Sequence, residues 1–198
     1  MHSGKTYFFK DIADSSSGFT LRNGIKVLDK GPIAILQPKD IQDEVLAIGQ
    51  YIDIDDWAAR NHLLKKGDLL LANKGIKFAT FIFNDEHPRC IASASFFVIR
   101  VYREKCLPEF LQWYLQQPEA KEYLLSRSIT TTIPSLSKAA LGNCEIVIPP
   151  LEIQKKIIEI VATVKQEERL LKQLLSKQQE HRDAYIWEML RAPAQHKQ

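Results

Sequence analysis

Two patterns of apolar positions divide this chain. Between residues 19 and 103 the apolar residues come in short runs bounded by turn chemistry, and after residue 150 they recur at helical spacing. The runs 32–37, 69–72, 78–83, 90–94 and 95–100 are rich in apolar, β-branched and aromatic residues, and each predicts a strand. Tyr51-Ile52-Asp53-Ile54 alternates and predicts one more. Pro38-Lys39-Asp40-Ile41 predicts a turn, and Asn73-Lys74-Gly75-Ile76-Lys77 a tighter one carrying two lysines. Phe8 to Asp14 reads as a single helical turn, and Ser15-Ser16-Ser17-Gly18 as a loop by composition. Pro108 and Pro118 are each placed for the first turn of a helix. The first of these helices carries the stripe Phe110, Leu111, Tyr114 and Leu115; the second turns Tyr123, Leu124 and Leu125 inward. Residues 126–134 read as a polar loop or edge, Ser135 or Ser137 as the cap of a short helix, and Gly142 as its end. Ile146-Val147-Ile148 predicts a short buried strand, stopped by Pro149-Pro150 because proline has no N–H for a ladder.

After Pro150 no proline occurs until Pro193, and no glycine at all. The residues between are strong helix formers. Ile157, Val161, Val164, Leu171, Leu175, Tyr185 and Met189 fall on one alternating 4-3 frame, the seam of a coiled coil. Glu168, Gln178 and Arg182 interrupt that frame, while Ile153, Ile160 and Leu174 widen it. A helix of about 40 residues spans about 60 Å, longer than a small domain is wide, so its stripe needs cover from outside. The alternative is a helix folded back on its own domain. The expected organisation is an α+β fold: a mostly β domain over 1–150, a helical spacer and dimerisation region over 151–191, and a disordered tail over 192–198.

Composition bounds the function only loosely. The 198 residues are 45% hydrophobic and 26% charged, an ordinary soluble composition. No apolar run approaches a membrane span, and the start has no apolar signal region, so the expected location is the cytoplasm. Cys90, Cys106 and Cys144 are odd in number and widely spaced, which predicts reduced, buried thiols and no disulfide or zinc frame. Net charge is +3, and residues 1–150 hold 18 of the 27 basic and 17 of the 24 acidic side chains. Nucleic-acid binding would therefore depend on local patches and not on a global field.

Catalytic signatures are weak. Gly4-Lys5-Thr6 mimics the end of a phosphate loop but lacks the earlier glycine and strand. Glu109 with Glu119 and Lys121 mimics a metal-dependent nuclease, but both elements read as helix and a solvated helix surface fits better. Asp55-Asp56 reads better as an acidic turn or helix start than as a metal site. The five histidines lack ligand spacing. No metal or other cofactor is expected. The basic loop residues say more. Arg22, Lys26, Lys39, Lys74, Lys77 and Arg127 all fall in turns of one β unit, and Thr131 lies in the hydroxyl run after Arg127. Arg and Lys suit phosphates and guanine edges, and hydroxyl side chains suit bases or backbone. Each alone is better explained as a solvated surface side chain; it is their grouping that points to nucleic acid.

Several stretches together resemble a specificity subunit of type I restriction-modification systems. They are Asp11-Ile12-Ala13, Ser17-Gly18-Phe19-Thr20, Ile35-Leu36-Gln37-Pro38-Lys39-Asp40-Ile41, Lys66-Gly67-Asp68-Leu69-Leu70-Leu71 and Asn73-Lys74-Gly75. The series continues with Leu107-Pro108-Glu109-Phe110-Leu111, Ile129-Thr130-Thr131-Thr132-Ile133-Pro134-Ser135-Leu136 and Ile148-Pro149-Pro150-Leu151-Glu152-Ile153-Gln154-Lys155-Lys156-Ile157. The last block is the most specific. The resemblance implies non-catalytic recognition of one half of a bipartite site on double-stranded DNA. It also implies a long helix that docks methyltransferase and restriction subunits. The usual subunit has two recognition domains and two long helices; one of each is read here. A homodimer through the C-terminal helix, with Ile157, Val161, Val164, Leu171 and Leu175 at its interface, is therefore expected to read a palindromic site. The rival readings are a protein-interaction adaptor that never touches DNA and the small nuclease built on Glu109, Glu119 and Lys121.

Overall fold

The computed structural model describes residues 4–21, 26–42, 45–84, 86, 88–129 and 133–191. It divides into a compact unit over Met1–Lys156 and a second unit from Ile157 onward. In chain order the first unit begins with β1 (Lys5–Phe8), a 3-10 turn (Phe9–Asp11), β2 (Ala13–Ser17), β3 (Val27–Leu28) and β4 (Ile33–Leu36). A second 3-10 turn (Pro38–Asp40) leads to β5 (Ile41–Gln42), β6 (Val45–Leu46), β7 (Tyr51–Ile52) and α1 (Asp56–Ala59). Then come β8 (Leu69–Ala72), β9 (Thr80–Ile82), β10 (Cys90–Ala92) and β11 (Phe96–Val101). The helices α2 (Pro108–Leu115), α3 (Pro118–Ser126) and α4 (Lys138–Gly142) precede β12 (Glu145–Ile148) and α5 (Leu151–Arg191).

Two four-stranded sheets make the core. One is antiparallel, in the order β2-β11-β8-β9; the other runs β10-β4-β7-β3, with β10 and β4 parallel. Ala34 and Leu36 of β4 share a buried cluster with Leu70 and Ala72 of β8 and with Phe96 and Val98 of β11. Ile33 and Ile35, on the opposite side of β4, pack with Ile52, Ala59 and Ile91. Both faces of β4 are thus buried, which is why it reads as an unbroken apolar run. Strand β1 pairs with β12 in a separate antiparallel ribbon. The buried Asp68 carboxylate accepts from the Nε and an Nη of Arg100, each at 3.0 Å, across the β8–β11 pair.

The α+β expectation and the long C-terminal helix are both found. Three local expectations are corrected. Ser15 to Ser17 form strand, not loop: β2 is an edge strand whose ladder to β11 is made by the backbone, so its polar side chains can face outward. Leu124 is buried but Leu125 is exposed, because three consecutive helical residues span about 200° and cannot all face inward. In β12, Ile146 and Ile148 are buried while Val147 is exposed, so the strand covers the core with one face only. A further difference concerns Phe78, which sits at φ +43 with its carbonyl accepting from Gln116 Nε2 at 2.9 Å; the strand after the turn therefore starts only at Thr80.

Gln154 roots α5 in the domain. Its side chain is fully buried. Oε1 accepts from the Leu107 N–H at 2.8 Å, and Nε2 donates to the carbonyls of Lys105 at 2.9 Å and Pro149 at 2.8 Å. From Ala162 to Arg191 every residue of the helix is exposed, Val164, Leu171 and Leu175 among them; Ile157 and Val161 are half-buried.

Candidate nucleic-acid interface

Strand β8 ends at Ala72, and the next residue, Asn73, is a buried junction. Its N–H donates to the Ser95 carbonyl at 2.9 Å, and its own carbonyl accepts from the Leu136 N–H at 2.8 Å. Its Nδ2 donates to the Ala94 carbonyl at 2.9 Å. One side chain and its backbone thus join three segments: the end of β8, the turn between β10 and β11, and the strip before α4. Lys74 and Ser135 form an antiparallel bridge, the Gly75 N–H donates to the Pro134 carbonyl at 2.8 Å, and Ile129 and Ser135 exchange bonds of 2.9 and 3.1 Å. Gly75 has φ +90, the conformation glycine adopts without strain, so the turn carrying Lys74 and Lys77 can fold tightly against this strip.

The same end of the molecule receives β4. The Ser93 N–H donates to the Leu36 carbonyl at 2.8 Å, so the 3-10 turn with Lys39 follows β4 on the side where β8 and β10 also finish. That turn is locked by Asp40, which is buried and accepts from the Gln37 N–H at 2.8 Å. Lys39, Lys74 and Lys77 are all exposed there. Arg127 ends α3 beside the same strip, but its guanidinium lies 5.7 Å from the Tyr123 ring and lines an open cleft with Glu119 and Glu145. Lys26 is elsewhere. Both β3 and β4 run antiparallel to β7, with Val27 and Ile33 each opposite Ile52, so Lys26 lies at the end where β4 starts. Arg22 and Thr131 lie outside the described residues.

Glu109 lies on α2 and Glu119 and Lys121 on α3. Among the described residues no group of three or more His, Cys, Asp or Glu side chains could hold a metal ion. Cys90, Cys106 and Cys144 are buried free thiols, and burial pushes them up to about 12, 12 and 11. Among the described residues no helix is long and apolar enough to cross a membrane. Sequence reasoning missed the roles of Asn73 and Gln154, most of whose partners lie far away in the chain. It also missed the exposed Ile76, Ile129 and Ile133. The signal was there: large apolar residues inside otherwise polar turns.

The model of the type I restriction modification DNA specificity domain matches residues 3–177. The HindI specificity subunit of a type I restriction enzyme from Haemophilus influenzae is 30% identical over 101 residues, 50% of this chain and 22% of that protein. A chain from a study of complex assembly and conformational transition of the type I R-M system superposes with a TM-score of 0.70 at 18% identity, over 90% of this chain and 42% of its own. The HsdS subunit from Thermoanaerobacter tengcongensis gives 0.65 at 18% identity, over 87% and 40%. The type I S subunit from M. genitalium gives 0.60 at 14%, over 91% and 44%. The chain thus spans about a fifth of that curated relative and about two fifths of the solved subunits, which share its fold: a sheet-rich domain followed by a long helix. Its matched residues, the order of its motifs and its architecture agree, and the chain belongs to the type I restriction modification DNA specificity domain family.

Proposed function

We propose that this chain recognises double-stranded DNA for a type I restriction-modification assembly, performs no catalysis itself, and pairs with a second copy through α5. The observation that carries the proposal is the family match over residues 3–177. What supports it on the surface is the shared end of the two sheets, where Lys39, Lys74 and Lys77 stand exposed on short turns held by buried side chains. Ammonium groups there neutralise phosphates, giving a salt-dependent base affinity, and neighbouring loop side chains add choice of sequence. Arg127 stands at the margin of this surface, and Arg22 and Thr131 join the proposal on sequence grounds. Lys26, at the opposite end, does not. Methyltransferase and restriction subunits are the further partners, and the cytoplasm, where the DNA is, the place of action.

Pairing through α5 is supported by its uncovered stripe. Val164, Leu171 and Leu175 are exposed on a 41-residue helix, and a helix of that length gains most of its stability by burying such a face. With Ile157 and Val161 they would form the seam. A two-fold dimer presents two identical recognition surfaces and hence suits a palindromic bipartite target.

The test is light-scattering mass on the purified protein, alone and with a randomised duplex pool, at low and moderate salt. A dimer that shifts to a DNA-bound mass at low salt is expected. Leu171→Glu is expected to give a folded monomer. A dimer that survives that change sinks the seam, and a protein that never gains DNA mass, with or without a methyltransferase subunit, favours the adaptor.

A further inference from the structure

Ile76, Ile129 and Ile133 are 66%, 64% and 59% exposed, although the backbone around each is tied into the domain. Their positions are linked. Lys74 bridges Ser135 in antiparallel sense and the Gly75 N–H bonds to the Pro134 carbonyl, so the residues next to these contacts, Ile76 and Ile133, lie on neighbouring segments. Ile129 pairs with Ser135 from the other side. Three large apolar side chains therefore stand on adjoining backbone, with Lys74 and Lys77 flanking Ile76 in the same turn. Single exposed apolar residues are ordinary, but a clustered patch marks an interaction site.

The lysines decide what kind of partner fits. Lys74 and Lys77, with Lys39 at the same end of the sheets, suit a polyanion. Duplex DNA offers both halves of the match: phosphates for the ammonium groups, and the thymine C5-methyl in the major groove for apolar side chains. Isoleucine side chains have no donor or acceptor, so they cannot read the hydrogen-bonding edges of bases. They can tell a methyl group from its absence.

Resting on the DNA-recognition reading, we propose that Ile76 and Ile133, with Ile129 beside them, read thymine methyl groups in the major groove of the target, while Lys74 and Lys77 hold the adjacent phosphates. The isoleucines make the patch a determinant of specificity, and the lysines make it a source of affinity.

The experiment starts from the duplex that the full-length chain selects from a randomised pool, alone or with a type I methyltransferase subunit. That duplex is resynthesised with deoxyuridine in place of thymidine, which deletes only the methyl groups. Wild-type affinity is expected to fall roughly fourfold for each methyl that was buried. In Ile76→Ala/Ile133→Ala, whose changes are at exposed positions, the two duplexes are expected to bind alike. Equal binding of both duplexes by the wild-type chain overturns the inference and leaves DNA recognition standing. So does a methyl effect that persists in the double variant, or a selected site that requires no A·T pair. If neither arm retains any duplex, the recognition reading itself fails and the inference falls with it. The deoxyuridine arm uses the wild-type chain, so its result does not depend on how the variant folds.

Discussion

Replacing Gln154 by leucine should unsettle the domain far more than its place near the start of a surface-exposed helix suggests. Leucine fills nearly the same volume, so packing is conserved and only polarity is lost. The loss is threefold: the Leu107 N–H and the carbonyls of Lys105 and Pro149 all give up a partner within 2.9 Å. At about 1 kcal/mol for each net hydrogen bond the cost is about 3 kcal/mol, and it rises if the abandoned backbone groups stay out of reach of water. Against a total stability of about 5–15 kcal/mol this is a large share. Equilibrium urea unfolding of the full-length chain measures it. With a slope of about 2 kcal/mol per molar, the midpoint should drop by about 1.5 M at unchanged slope. Gln154→Glu retains the acceptor for the Leu107 N–H but loses both donations and buries a charge, so it should be no milder than leucine. A leucine variant whose midpoint stays within about 0.3 M of the parent would refute the reasoning, because the three bonds would then contribute almost nothing.

Four further outcomes are expected. A Cβ at Gly18 would overlap the backbone carbonyl oxygens of Ser93 and Ala92, so Gly18→Ala should cost about 1–3 kcal/mol or more in urea melts. Gly75→Ala, where a Cβ meets nothing within 4 Å but φ is +90, should cost only about 1 kcal/mol of backbone strain. Burial pushes the thiols of Cys90 and Cys106 from 9.0 up to about 12, and that of Cys144 to about 11, helped by Glu109 beside Cys106 and Glu145 beside Cys144. The unfolded chain therefore releases these protons first. Stability is complete below pH 9 and falls from there towards pH 11 and 12, by at most about 1.4 kcal/mol per pH unit for each thiol. Urea midpoints measured between pH 7 and 10 should show the fall, and alanine at all three positions should flatten it. Lys74→Ala/Lys77→Ala should lower the slope of log affinity against log salt by about 2 on any duplex, as two lost phosphate contacts require.

What could be read from the sequence was what local pattern encodes. Strands β4 and β8 announced themselves as apolar runs because both of their faces are buried, and α5 did so through its spacing and the lack of proline and glycine. Strand β2 did not, because Ser15, Ser16 and Ser17 become strand only when β11 supplies the ladder. Leu125 and Val147 were misplaced because a run of adjacent apolar residues does not say which of them faces inward. The candidate interface was legible as a set of basic turns but not as a surface. Lys39 and Lys74 share an end because β4 and β8 finish at the same turn, Ser93 to Ser95, which no local pattern states. The register that separates Lys26 from them is likewise a property of β7, the strand that β3 and β4 both pair with. The Asn73 side chain bonds a carbonyl 21 residues away and the Gln154 side chain reaches groups 47 and 49 residues away, so neither stood out among other polar side chains.

The central claim is that the domain reads DNA sequence, and enrichment from a randomised duplex pool tests it most directly. The full-length chain, alone and with a type I methyltransferase subunit, is mixed with the pool at low and moderate salt, and the retained duplexes are sequenced. The account predicts a defined block of bases at moderate salt, repeated in inverted orientation at a fixed spacing if α5 pairs two copies. Retention without enrichment at any position, or no retention in either arm, would contradict it.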